Sequence, residues 1–109
     1  MPEREKGVAA ADRHAPQVAG LRRAVFDSPG VSDRAVRAAA AEGKGLPPSL
    51  EAYVVKVSGA AYRITDADVA TLKTSGYSEE EIFEVTVAAG LGAALRSFGA
   101  GMRAVRGSV

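Results

Sequence analysis

The feature that most constrains this 109-residue chain is a proline-free segment near its C-terminus, from Ser78 to Arg106. Ser78 and Glu81 have the spacing of a capping box, in which each side chain satisfies a backbone N–H at the start of a helix. Glutamates begin the segment and arginines close it, as the helix dipole favours. The pattern predicts a single helix roughly 40 Å long, at about 1.5 Å per residue.

Apolar residues recur every three or four positions along this segment, which is the spacing of one helix face. They are Phe83, Val87, Leu91, Leu95, Phe98, Met102 and Val105. No residue between Glu84 and Arg96 carries a charge, and a helix that is apolar all round is normally buried all round. A domain of this length has a radius of gyration of only ~13 Å. The helix is therefore expected to cross the domain, to bend, or to reach into a partner.

Small residues form a second group on the same segment. The group comprises Val85, Ala88, Ala89 and Gly92. A glycine inside a helix costs about 0.5–1 kcal/mol relative to alanine, so another interaction should offset that cost. We expect this face to allow the close approach of a neighbouring helix.

Four shorter helices are predicted before the long one, separated by glycine, proline and serine residues that interrupt helices. Their expected ranges are Gln17 to about Asp27, Asp33 to about Ala41, Pro47 or Pro48 to about Tyr62, and Asp66 to Ser75. Ser32 and Thr65 are expected to cap the second and fourth helices. No run alternates apolar and polar residues as a strand does, so the class is all-α, one domain of about five helices over residues 17–109. Residues 1–16 are expected to form a mobile N-terminal arm.

Composition excludes several classes of chemistry. The chain has no cysteine, which excludes disulfides, thiolate catalysis and cysteine-bound metals. Its only histidine, His14, lies in the expected arm, so we expect no metal site and no cofactor. The formal net charge of +1 is not that of a nucleic-acid-binding domain. Because no signal peptide or bilayer-length uncharged run is visible, we expect a soluble, cytoplasmic protein that binds neither nucleic acid nor membrane.

The segment from Leu46 to Arg106 resembles the C-terminal half of the carboxymuconolactone decarboxylase and alkylhydroperoxidase D-like family. The resemblance lies in the turn Gly76-Tyr77-Ser78-Glu79-Glu80-Glu81-Ile82 and in the Ala/Gly-rich helix that follows it. It implies an AhpD-like helical fold. It also implies a homo-oligomer, which we expect to assemble through the long C-terminal helix.

The catalytic residues of that family are missing from this chain. The family's C-x-x-C cysteines would fall between Ala60 and Ile64, so the chain cannot be a thiol peroxidase by its own residues. Decarboxylase members place a histidine at the position of Arg96, and an arginine stays protonated near neutral pH. The resemblance therefore implies the scaffold without either known chemistry.

Two hypotheses of function from different classes are open. The favoured one is a pseudoenzyme, a degenerate family member that acts as an oligomeric module binding a protein partner or a small carboxylated ligand. The alternative is a cysteine-independent lyase or isomerase, in which Arg96 binds a substrate carboxylate and Tyr62 or Asp66 transfers the proton. Each residue also has a structural explanation: an ion pair between helices or subunits for Arg96, core packing for Tyr62 and helix capping for Asp66.

Overall fold

The computed structural model describes residues 15–107, and all regular structure in that range is helical. α1 spans Ala15–Arg22 and continues into a π-helical turn, Arg23–Asp27. α2 spans Arg34–Glu42, α3 spans Pro48–Ala60 and ends in a 3-10 turn at Ala61–Arg63, α4 spans Asp66–Thr74, and α5 spans Glu79–Gly107. The all-α class, the five helices and the long C-terminal helix are confirmed. Of the predicted arm, residues 1–14, including the only histidine, lie outside the described residues.

Two helix starts follow the capping chemistry expected from the sequence. Ser78 Oγ accepts a hydrogen bond from Glu81 N at 3.1 Å, and Ser78 N donates to Glu81 Oε1 at 2.9 Å. Thr65 and Asp68 form the same reciprocal pair at the start of α4. These side chains satisfy backbone N–H groups that have no partner within the helix, which fixes where α4 and α5 begin.

The core lies where α2, α3 and α4 meet the N-terminal half of α5. α5 packs mainly against α2 and α3. The buried apolar residues are Ala40, Leu50, Tyr53, Val54, Val57, Leu72, Ile82, Val85, Ala88 and Ala89. Residues 97–107 of α5 include no buried residue, so the C-terminal turns of this helix extend beyond the core.

The predicted close approach along α5 is confirmed at Gly92. A Cβ atom at this position would lie 2.7 Å from the Cα atom of Ala41 in α2, closer than real Cβ contacts allow. The buried small residues of α5 therefore let its backbone lie directly against α2. We call this surface, formed by Val85, Ala88, Ala89 and Gly92, the inner face.

Within the protomer, the expectation that α5 is buried on all sides is wrong. Phe83 is 68 % exposed, Phe98 is 54 % exposed and Val87 is 37 % exposed. At about 100° per residue, these three side chains lie on the side of α5 opposite the inner face. No other described helix of the protomer covers them, so α5 is apolar on both sides but buried on only one.

Candidate functional site

The exposed apolar surface of α5 is a feature that core packing within the protomer does not explain. We call it the outer stripe. It consists of Phe83, Val87, Leu91, Ala94, Phe98 and Gly101, of which Leu91 is half-buried and the others are exposed. Scattered apolar residues are normal on a protein surface, whereas a contiguous apolar patch marks a site of interaction. The outer stripe is therefore the candidate functional site.

A cavity of about 210 Å³ opens beside the N-terminal end of the outer stripe. It is lined by Ala24, Val25, Pro29, Gly30, Arg37, Phe83, Glu84 and Val87. Phe83 and Val87 belong to both the cavity and the stripe. The exposed apolar surface therefore continues from α5 onto the loop that precedes α2.

Glu84 holds that loop against α5. Its carboxylate accepts hydrogen bonds from Val31 N at 2.9 Å, from Ser32 N at 2.8 Å and from Ser32 Oγ at 2.5 Å. A Cβ atom at Gly30 would lie 2.8 Å from either carboxylate oxygen, so a larger residue there would require the Glu84 carboxylate to shift. The hydrogen bonds from Ser32, followed by that from Val31 N, lower the pKa of the Glu84 carboxyl below its ordinary value.

The predicted cap at Ser32 is wrong, because Ser32 binds the Glu84 carboxylate instead. The residue before the first turn of α2 is Asp33, whose side chain makes no capping hydrogen bond. Ser32 is buried, and its hydroxyl donates to Glu84 instead of accepting from the start of α2. A contact 52 residues away in sequence therefore outweighs the local capping preference.

Arg37 is a buried cation that the sequence analysis missed. It is only 4 % exposed, and its guanidinium donates to Val25 O at 2.9 Å and to Ser32 O at 3.5 Å. It also lines the cavity with Glu84, and its charge contributes to the lowered pKa of that carboxyl. Arg37 thus joins α1 and the following loop to α2. In the sequence it is one of two arginines in an alanine-rich helix, and nothing local distinguishes it from the exposed Arg34.

Arg96 lies on α5 beside the C-terminal end of α2, where its guanidinium donates a hydrogen bond to Ala41 O. The last carbonyls of a helix have no partner within it, and a cation there complements the helix dipole. In the described part of the chain, no carboxylate lies within salt-bridge distance of Arg96. Within the protomer, Arg96 therefore contacts the C-terminus of a helix and not the carboxylate that we expected as its partner. Arg96 also lines a cavity of about 200 Å³ together with Arg22, Phe26 and Glu42.

The structure does not bring the other candidate residues into a shared cavity with Arg96. Tyr62 is 89 % exposed, so the core packing expected as its structural role is wrong. The cause is the backbone at Ala60, where φ is −153° and ψ is 54°, which ends α3 and turns the following residues outward. Asp66 is the exposed first residue of α4. The lining of the cavity that contains Arg96 includes neither Tyr62 nor Asp66.

A further cavity, of about 330 Å³, lies between α3 and α4 and contains an ion pair. Lys56 Nζ lies 2.7 Å from Asp68 Oδ2, and this hydrogen bond is the largest of the causes that lower the pKa of Asp68. Asp68 also accepts from Thr65 N at 2.8 Å as part of the capping box. Its carboxylate is thus engaged in joining α3 to α4. Within residues 15–107, no three histidine, cysteine or carboxylate side chains lie close enough to hold a metal ion.

Comparisons of the chain with protein-family models, with curated proteins and with solved structures found no match. By length and composition, α5 is apolar enough to cross a membrane, although the core helix of a soluble protein passes the same test. Only 28 % of its most apolar 18-residue window is buried, because the outer stripe lies on the exposed side. Identifying what packs against the outer stripe would therefore indicate the function of the protein.

Proposed function

We propose that this protein is a non-catalytic interaction module that assembles as a homodimer through the outer stripe of α5. The observation that carries the proposal is the exposure of Phe83, Val87 and Phe98 along one side of a helix whose other side is buried as far as Gly92. Each Å² of apolar surface removed from water favours association by about 25 cal/mol. A second copy of the chain would bury two such stripes at once.

The packing of α5 favours a protein partner over a membrane. A membrane-spanning α5 would have to expose its whole circumference to lipid, but Ala88, Ala89 and Gly92 are packed against the body of the protomer. Arg96, in the middle of the helix, is engaged with the C-terminus of α2. Insertion would separate α5 from the helices that bury it. It would also leave the Arg96 guanidinium and the Ala41 carbonyl group without partners.

The absence of cysteine and the position of Arg96 support a role without catalysis. Arg96 contacts a helix terminus, and neither Tyr62 nor Asp66 lines the cavity beside it. The relation to the decarboxylase-like family, a small carboxylated ligand and a cytoplasmic location stay predictions. The proposed homodimer depends on none of them.

The test compares two substitutions of the same type at two exposed valines. Val87→Asp places a charge in the outer stripe, and Val55→Asp places one on an exposed site of α3, outside the stripe. We expect the unmodified chain and Val55→Asp to have twice the mass of one chain by native mass spectrometry. We expect Val87→Asp to be monomeric at the same concentration, with an unchanged circular dichroism spectrum.

Two results would contradict the proposal. One is a single-chain mass for the unmodified protein at every concentration that can be measured. The other is co-sedimentation of a monomeric protein with vesicles of phosphatidylcholine and phosphatidylglycerol, lost in Val87→Asp but retained in Val55→Asp. That second result would assign the outer stripe to a lipid surface.

A further inference from the structure

The outer stripe has an internal pattern that bears on how two copies could pair. Its members from Val87 to Gly101 follow one another at alternating intervals of four and three residues, which is the spacing of a coiled-coil seam. Larger side chains at Leu91 and Phe98 alternate with smaller ones at Val87, Ala94 and Gly101. A partner helix must match this alternation to fill the interface without gaps.

Parallel and antiparallel pairs of α5 meet this requirement differently. In a parallel pair each residue faces its own counterpart, so that two Phe98 rings would meet in one layer and two Ala94 methyl groups in another. In an antiparallel pair, seam positions of one kind face positions of the other kind. Leu91 would then lie opposite Ala94, and Phe98 opposite Val87, which gives layers of similar width.

The charges at the two ends of α5 favour the same orientation. Glu79 and Glu80 are exposed at the N-terminal end, and Arg103 and Arg106 are exposed at the C-terminal end. A parallel pair would bring the two acidic ends together and the two basic ends together. An antiparallel pair brings the acidic end of each helix level with the basic end of the other, and it also opposes the two helix dipoles.

We propose that two copies of α5 pair antiparallel and cross at the level of Gly92 and Ala93. Leu91 of each copy packs against Ala94 of the other, and Val87 of each packs against Phe98 of the other. This inference rests on the homodimer proposed above and specifies its geometry. It identifies the partner of the outer stripe as the same stripe of a second copy, in the reverse direction.

The antiparallel arrangement also gives a packing partner to the C-terminal turns of α5, which extend beyond the core of their own protomer. Met102 of one copy comes level with Phe83 of the other, beside the 210 Å³ cavity that Phe83 and Val87 line. A contact between the two helices alone would be narrow, since a helix with its side chains is only about 10 Å wide. A stable interface buries roughly 800 Å² on each partner, and contact with the loop around this cavity widens the interface toward that size.

Cysteine cross-linking tests the orientation, because the chain has no cysteine of its own. The variants are Val87→Cys, Phe98→Cys and the double variant that carries both, with Val55→Cys as the control for random collisions. All three positions are exposed, so the protomer should tolerate the substitutions. Each variant is oxidised at the same concentration and separated by non-reducing electrophoresis, and its mass is measured before oxidation.

We expect the double variant to convert largely to a covalent dimer that reduction reverses. Each single variant should stay at the level of Val55→Cys. In the antiparallel register, the two Val87 positions lie about 16 Å apart along the helix axis. A disulfide requires Cα atoms within about 7 Å, so a single cysteine cannot link to its counterpart.

The outcomes separate the orientation from the homodimer itself. Efficient cross-linking of Val87→Cys alone, in a protein with a two-chain mass, would show a parallel pair and overturn this inference while leaving the homodimer intact. A two-chain mass with no cross-linking of the double variant above the Val55→Cys level would overturn the register. A single-chain mass for the unmodified protein would refute the homodimer and, with it, this inference.

Discussion

The inner face and the outer stripe of α5 are both apolar, yet only one of them is buried. The inner face is built from small residues, and Gly92 brings its backbone against Ala41 of α2. The outer stripe carries the two phenylalanines of the helix, both more than half exposed. The comparison shows that hydrophobicity alone does not tell which side of a helix its own domain covers. Gly92 marks the close approach within the protomer, and the two exposed phenylalanines mark the surface that we propose for a second copy.

The largest expected effect comes from disturbing the inner face. Gly92→Leu should destabilise the fold by roughly 3 kcal/mol, because the new side chain has no space against the backbone of α2. Thermal and urea unfolding would measure the loss. The matched control is Gly59→Ala in α3, where nothing lies within 4 Å of the added atom. The control should gain about 0.5–1 kcal/mol from helix propensity. If both variants unfolded at the temperature of the unmodified chain, the packing assigned to the inner face would be incorrect.

A smaller effect is expected at Glu84, which lies between the two faces and holds the loop before α2. Glu84→Gln keeps the size of the side chain but removes the charge that accepts three hydrogen bonds. We expect a loss of about 1–2 kcal/mol at pH 7 in urea unfolding, because hydrogen bonds to a charged group are stronger than neutral ones. An unchanged unfolding free energy would show that these hydrogen bonds do not stabilise the loop.

The same carboxyl predicts how stability depends on pH. The folded state lowers the pKa of Glu84 below its ordinary value of 4.5, so around that pH the unfolded chain binds more protons than the folded one. The stability that Glu84 contributes is therefore present above pH 4.5 and is lost as the pH falls through the folded pKa. Unfolding free energies measured at decreasing pH should fall less steeply for Glu84→Gln than for the unmodified chain. Parallel curves would contradict this assignment.

The smallest effect is expected at Arg96, an exposed residue of α5 whose guanidinium donates a hydrogen bond to the C-terminus of α2. Arg96→Leu should lose about 0.5–1 kcal/mol, the usual contribution of a cation at a helix terminus. Arg63→Leu, at an exposed position in the turn after α3 and away from α5, is the control and should change stability by less than about 0.5 kcal/mol. Equal stabilities for the two variants in urea unfolding would mean that the contact with Ala41 contributes nothing measurable.

Much of the fold could be predicted from the sequence because its signals are local. The capping boxes at Thr65 and Ser78 and the small residues around Gly92 depend on neighbours within a turn or two, or on a single helix face. The contacts of Ser32, Arg37 and Arg96 could not be predicted in the same way. Each involves a group from another part of the chain, and sequence spacing does not show which helix terminus or loop a long side chain will reach.

The candidate site was only half predictable for a related reason. The apolar spacing identified Phe83, Val87, Leu91 and Phe98 but not Ala94 or Gly101. A helix that is apolar all round also does not show which side its own domain covers. The number and position of the shorter helices decide that, and in this fold they cover the side that carries Ile82, Val85 and Gly92. Tyr62 shows the same limit, since a single change in backbone direction at Ala60 turns it from the expected core position into solvent.

The mass of the unmodified chain in solution tests the central claim most directly. Light scattering during size-exclusion chromatography would measure it over a hundredfold range of concentration. We predict the mass of two chains at the higher concentrations, with dissociation toward one chain on dilution. A mass of one chain over the whole range would mean that no second copy covers the outer stripe, and it would contradict the proposed homodimer.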